Sequence, residues 1–151
     1  MNTIKFTKLN KDVETPTLAH HTDAGFDVRA AHEAIIRARE TTKIGTGLFV
    51  EIPEGFELQV RSKSGMAYKE GLVVAQGVGT IDAGYRGEIC VLLYNRTPFQ
   101  KRINKGEQIA QLVLKPIYDC EWEEVAKLSD TERAEKGFGS TKEKEKTLEI
   151  V

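Results

Sequence analysis

A chain of 151 residues has room for one domain with a hydrophobic core and not for two of ordinary size. Charged residues make up 30% and hydrophobic residues 40%, with a formal net charge of -1, which argues against a disordered chain and against a basic nucleic-acid binder. No apolar run approaches the roughly 20 residues of a bilayer crossing, and the opening "MNTIKFTKLNKDVE" lacks the apolar stretch of a secretory signal, so a soluble cytoplasmic protein without nucleic-acid or membrane partners is expected.

In chain order, short stretches rich in β-branched or aromatic residues alternate with turn signals. They are "TIKFTKL", "TGLFVEI", "FELQVRS", "GLVVAQ", "EICVLLYN" and "EQIAQLVLKPI", punctuated by Pro53 to Gly55, Gly71, Gly77 to Gly79, Gly84 to Gly87 and Gly106. This rhythm predicts an all-β fold. In "FELQV" the alternation places Phe56, Leu58 and Val60 on one face, whereas both faces of "ICVLLY" are apolar, as in a strand covered on both sides or packed against another subunit. The stretch "HEAIIRARETTK" reads equally as a short helix or as a strand ended by a turn. The one short helix candidate in the middle is "SGMAYKEG", with Ser64 as its cap and Gly71 as its terminator; a strand running into a helix start leaves backbone N–H groups at Ser64 and Gly65 for phosphate oxygens. After Pro116 a last strand is expected around Trp122, followed by a polar, Gly-punctuated mobile arm; the domain is placed at 1–128 and the arm at 129–151. Cys90 and Cys120 have no CxxC or Cys/His ligand spacing and are expected to be two buried free thiols.

Five small clusters carry candidate chemistry: "DAGFDV", "RSKSG", "GTIDAGYRGE", "GEQIAQL" and "RAEKGFGST". Each alone reads as structure, because acid–Gly pairs make turns, Ser–Gly pairs cap helices and a strand Gln usually faces water. The third holds a surplus. Asp82, Ala83 and Gly84 are accounted for by a turn, but Tyr85 and Arg86 crowded beside them are not. "GFGSTK" lacks the full phosphate-loop spacing, no GxSxG elbow is present, and His20 and His21 have no third ligand at metal spacing.

In order and interval the five clusters, residues 23 to 141, resemble the five motifs of the homotrimeric dUTPase family. The resemblance implies a jelly-roll-like β-barrel, a homotrimer with active sites between subunits, and Mg²⁺-dependent hydrolysis of dUTP to dUMP and pyrophosphate, which limits uracil incorporation into DNA and supplies dUMP for dTMP synthesis. It assigns Asp82 as the carboxylate that activates water against the α-phosphorus, Tyr85 to the deoxyribose face, and the hairpin backbone with Gln76, Gly79, Thr80 and Ile81 to uracil. Lys63, Ser64, Gly65 and Gln111 are implied to contact the phosphates, with Asp27 reaching Mg²⁺ through a water. In the arm, Arg133, Gly139, Ser140 and Thr141 would grip the γ-phosphate while Phe138 stacks over uracil, so the arm acts as a lid.

This sequence departs from the family pattern at four places: Lys63 replaces the usual Arg, Gln76 the usual Asn, and Ala134 and Lys136 two usual glycines. A Lys offers a point charge instead of a planar fork, which loosens phosphate geometry unless Arg61 compensates. Glu88 reads as structural, pairing with Arg86 or another cation. Two alternatives stand beside the hydrolase: a dCTP deaminase of the same fold, which would use a Glu near position 88, and a nucleotide-responsive binding module.

Overall fold

A computed structural model describes residues 2–135 of the chain. Its contacts divide the chain into two units, 1–118 and 119–151.

The first unit is built from ten strands: β1 (Lys5–Lys8), β2 (Phe26–Arg29), β3 (Ala34–Ile36), β4 (Thr41–Glu51), β5 (Phe56–Arg61), β6 (Leu72–Val74), β7 (Val78–Ile81), β8 (Glu88–Asn95), β9 (Lys101–Ile103) and β10 (Gln108–Pro116). They form one sheet in the order β1-β4-β8-β6, a second in the order β2-β10-β5-β7, and a two-stranded β3-β9 ribbon. The strand pairings among the described residues are all antiparallel. The all-β, jelly-roll-like expectation holds. No helix among the described residues is long and apolar enough to cross a membrane.

The core lies between the sheets, where alternation in each strand delivers its apolar face. Leu58 and Val60 of β5 meet Ile89, Val91 and Leu93 of β8 and Ile109, Ala110 and Leu112 of β10 in one buried cluster, with Phe56 packed against it. Burial of these side chains, each worth about 1.5–3 kcal/mol, is the main stabilising term. The outward face of β8, Cys90, Leu92 and Tyr94, is half-buried rather than covered. Asn95 closes that strand at zero exposure. Its amide donates to the carbonyls of Ile36, Arg37 and Phe99 at 3.2, 3.2 and 2.7 Å, and its carbonyl accepts from the Thr97 N–H and hydroxyl at 2.9 and 2.8 Å. Every polar valence of that side chain is used, which makes its burial tolerable.

Several expectations are corrected or resolved. The stretch 32–43 is strand, turn and strand, since Ile36 and Ile44 bury while the turn between carries charge. The helix candidate is a single π-helical turn, Met66–Glu70; Gly65, not Ser64, stands at its N-cap, and no side-chain hydrogen bond caps it. Gly71 does terminate it, at φ 70, donating its N–H to the Met66 carbonyl five residues back. Around Trp122 there is no strand: residues 119–135 form no regular element, and Trp122 is 98% exposed. Its sequence alternation has no apolar face to bury there. Both cysteines are free, but Cys120 is exposed and Cys90 only half-buried; burial, then the neighbouring Glu88 charge, pushes the Cys90 thiol up from its ordinary value.

Candidate active site

One cavity of about 280 Å³ gathers three of the five sequence clusters: Asp23, Gly25 and Asp27 from the first, Lys63, Ser64 and Gly65 from the second, and Gln111 from the fourth. Strand pairing explains the meeting. Gln111 of β10 stands opposite Asp27 on β2 and opposite Arg61 on β5, so the end of β5 carries the turn of Lys63 to Gly65 to the same place. The first bond inside that turn runs from the Ala67 N–H to the Lys63 carbonyl at 3.0 Å, so the amides just before it have no helical partner.

The polar side chains here are braced. Gln111 donates its amide to the Ser62 carbonyl at 3.0 Å, and Gly25 is glycine because any side chain there would collide with the Gln111 amide. Asp23 accepts the His20 backbone N–H at 2.9 Å, which folds the loop over the cavity rim. Lys63 forms an ion pair through Nζ with Asp27 Oδ1; the two side chains are 24% and 14% exposed. Arg61, two residues earlier and opposite Gln111, donates to Gln59 through Nε at 2.9 Å and does not line the cavity.

The third cluster lies elsewhere. β7 borders the second sheet and pairs only with β5, leaving the other edge of its backbone open among the described residues; the hairpin expected here is therefore an edge strand followed by a turn that leads to β8 in the other sheet. Gly79 and Ile81 point inward and are buried, while Gln76, Val78 and Thr80 are exposed. Beyond β7 the chain turns at Asp82, whose carbonyl accepts the Tyr85 N–H at 3.0 Å, and the Asp82 side chain faces solvent. Tyr85 is 47% exposed and donates its hydroxyl to the Glu88 carbonyl at 3.1 Å. Arg86 turns back onto the carbonyls of Ala83 and Tyr85 at 2.6 and 2.9 Å. Glu88 braces the start of β8 beyond the turn: its carboxylate accepts the Gly47 N–H at 2.8 Å, where the β4–β8 register shifts between Gly45 and Phe49. Its expected pairing with a cation is replaced by this backbone bond.

The spacing between the two places follows from the register. Asp27, Gln111, Arg61 and Val78 form one row across the sheet, three interstrand steps or roughly 14 Å wide. Asp82 lies four residues beyond Val78, roughly 13 Å along the strand, so about 20 Å separates Asp82 from Asp27. A general base works only within hydrogen-bond reach of its proton. Within one chain, therefore, Asp82 lies far beyond hydrogen-bond reach of the cavity.

Arg133 is exposed in the second unit. Phe138, Gly139, Ser140, Thr141 and Lys136 lie outside the described residues. Among the described residues no three His, Cys, Asp or Glu side chains converge on a metal position. Sequence reading missed Asp23 as a cavity wall and Glu88 as the brace of the β4 bulge. The signal for the first was its spacing from Gly25; the second had none, because the bulge it fills is 41 residues away.

The dUTPase family model matches residues 11–142. The chain belongs to the dUTPase family. The deoxyuridine 5'-triphosphate nucleotidohydrolase of Clostridioides difficile is 45% identical over 141 residues, which cover 93% of this chain and 99% of that dUTPase. The dUTPase of Staphylococcus bacteriophage 80alpha, solved with dUpNHpp, superposes with a TM-score of 0.87 at 34% identity, covering 94% of this chain and 99% of the phage chain. A mutant dUTPase from phage phi11 of S. aureus, whose structure reveals the coordination of a structural Mg(II) ion, matches with a TM-score of 0.77 at 29% identity, covering 83% of this chain and 98% of its own. Neither alternative to the dUTPase reading gains support: Glu88, near the position at which a deaminase would use a Glu, accepts the Gly47 N–H, and nothing among the described residues favours a binding module.

Proposed function

We propose that this protein hydrolyses dUTP to dUMP and pyrophosphate in the cytoplasm, at sites shared between copies of the chain in a homotrimer, keeping uracil out of DNA and supplying dUMP. One observation carries the shared site: strand register puts about 20 Å between the Asp82 turn and the Asp27 cavity within a chain, while the family resemblance assigns both to one substrate. The hairpin of one copy then faces the cavity of the next.

In that arrangement Asp82 accepts the proton of a water whose oxygen attacks the α-phosphorus; the bond to the bridging oxygen breaks and pyrophosphate departs with the electron pair. Ser64, Gly65 and Gln111 supply donors to phosphate oxygens, and Lys63 supplies charge. The open edge of β7, through Gly79, Thr80 and Ile81 with Gln76 beside it, offers backbone donors and acceptors to the uracil edge. Tyr85, half-exposed and fixed by its hydroxyl, presents a flat face that leaves no space for a 2′-hydroxyl. The residues fit Mg²⁺ as an ion carried by the substrate: Asp27 and Asp23 are two carboxylates on one cavity, the one or two that magnesium takes beside phosphates. Bound with the triphosphate, it would neutralise charge on the phosphate oxygens, with Asp27 reaching it through a water. The arm, 129–151, closes over the nucleotide with Arg133, Phe138, Gly139, Ser140 and Thr141.

Mixed trimers test the shared site. Asp82→Asn and Ser64→Ala chains, each impaired alone, are unfolded and refolded together in equal amounts. One pairing in four joins an intact hairpin to an intact cavity, so about a quarter of wild-type pyrophosphate release returns. No recovery from an assembled mixture would place both halves in one chain and end this reading.

A further inference from the structure

The geometry points to a second task for Lys63: its ammonium is a resident counter-ion that holds the Asp27 carboxylate until nucleotide phosphates draw it away, so that metal loading waits for substrate. The inference rests on the reading of Asp27 as the metal's water-mediated contact.

Asp27 is the more enclosed of the cavity's two carboxylates, 14% exposed against 38% for Asp23. Lys63 is the sole cation among the described lining residues, and its Nζ sits on Asp27 Oδ1. Two other polar walls are engaged elsewhere, Asp23 with the His20 N–H and Gln111 with the Ser62 carbonyl. Arg61 is held by Gln59, so no guanidinium stands ready to replace the ammonium. A divalent ion approaching Asp27 in this state meets a neutralised carboxylate and a like charge beside it.

An arriving triphosphate changes the balance. It brings several negative oxygens into the cavity and gives the ammonium other acceptors, while the Lys63 backbone stays fixed by the Ala67 N–H. Only the flexible stem needs to rotate. A guanidinium at 63 would spread its donors over a plane able to bridge carboxylate and phosphate together, whereas an ammonium is a compact charge for which the two compete. Release of Asp27 then couples metal to nucleotide, and the coupling is reciprocal.

Mn²⁺ binding followed by electron paramagnetic resonance, on the full-length protein with and without dUpNHpp, tests this. Lys63→Met keeps the stem and removes the charge; nucleotide-free Mn²⁺ affinity is expected to rise about tenfold, and the enhancement of Mn²⁺ binding by dUpNHpp to shrink in proportion. Lys63→Arg retains the charge and is expected to stay near wild type without nucleotide. Lys63→Gln gives the same reading as Lys63→Met should the Met variant fail to assemble. Nucleotide-free Mn²⁺ affinity unchanged in the neutral variants overturns the counter-ion role. Asp27→Asn separates the two failures: if it weakens Mn²⁺ binding in the dUpNHpp complex while the neutral variants match wild type, only the counter-ion role is lost. If Asp27→Asn binds Mn²⁺ with dUpNHpp as wild type does, the metal reading falls and takes this inference with it.

Discussion

The cavity at Asp27 and the turn at Asp82 stand at opposite sides of one sheet and are built in opposite ways. Around the cavity three strands converge, and Gln111, Asp23, Lys63 and Asp27 each have a partner before any ligand arrives. At the turn, the Asp82 carboxylate faces solvent, and the fixed contacts serve the backbone around it: Arg86 on the Ala83 and Tyr85 carbonyls, Glu88 on Gly47 and the Tyr85 hydroxyl on the Glu88 carbonyl. Under the proposed function, the difference means that one chain prepares a phosphate receptacle and separately offers a base-and-sugar reader outward. A preorganised receptacle limits the reorganisation required on binding, whereas an exposed reader gains its dry surroundings from whatever it docks against.

The comparison is broken most directly at the hairpin tip. Asp82→Asn is expected to lower turnover about a hundredfold or more while dUpNHpp still binds, as on loss of a positioned general base; pyrophosphate release and calorimetry check this, and unchanged turnover removes Asp82 from the chemistry. Truncation before Arg133 is expected to lower activity by about tenfold or more with the assembled state kept, since a lid completes a site already formed; light scattering beside the assay reads both, and full activity refutes the lid. A probe of the hairpin base sharpens the contrast: Glu88→Ala leaves the Gly47 N–H without its partner and is expected to cost about 1–3 kcal/mol of stability, with Glu88→Gln retaining most of it through the amide oxygen. Denaturant midpoints decide that.

The smallest effect lies at the exposed flank of the hairpin. The Lys5 hydrogen bond, then its charge, and less so Arg86, hold the Glu51 carboxyl below its usual range. A lowered folded value means that this contribution is present above the ordinary Glu range and is lost as pH falls through the lowered one. Lys5→Ala is therefore expected to reduce the melting temperature slightly near pH 7 and not at all in strong acid, with the difference shrinking in high salt. An equal loss at both pH values would assign the effect to packing.

Much of this was legible because strands announce their buried face every second residue. Leu58 and Val60 are found where the alternation puts them, whereas in "ICVLLY", apolar on both faces, the fold chose Ile89, Val91 and Leu93 as the buried side. The site's residue types were legible too, as five ordered clusters. What stayed hidden were pairings whose partners lie far along the chain. Nothing near Lys63 in sequence announces Asp27, 36 residues away, and nothing near Glu88 announces the Gly47 amide. Ser64 looked like a cap because hydroxyls usually are, yet Gly65 holds that position in a π-helical turn. A last strand was expected around Trp122, but residues 119–135 form no regular element and the indole stands exposed.

The sequence by itself determined the all-β class, the family and the order of the chemical clusters, because local periodicity and turn chemistry are properties of neighbours along the chain. Only the tertiary structure decided which clusters meet. Strand register brings Asp27, Gln111 and the Lys63 turn to one cavity and carries Asp82 some 20 Å away, a distance set by interstrand spacing and rise per residue that linear order does not encode.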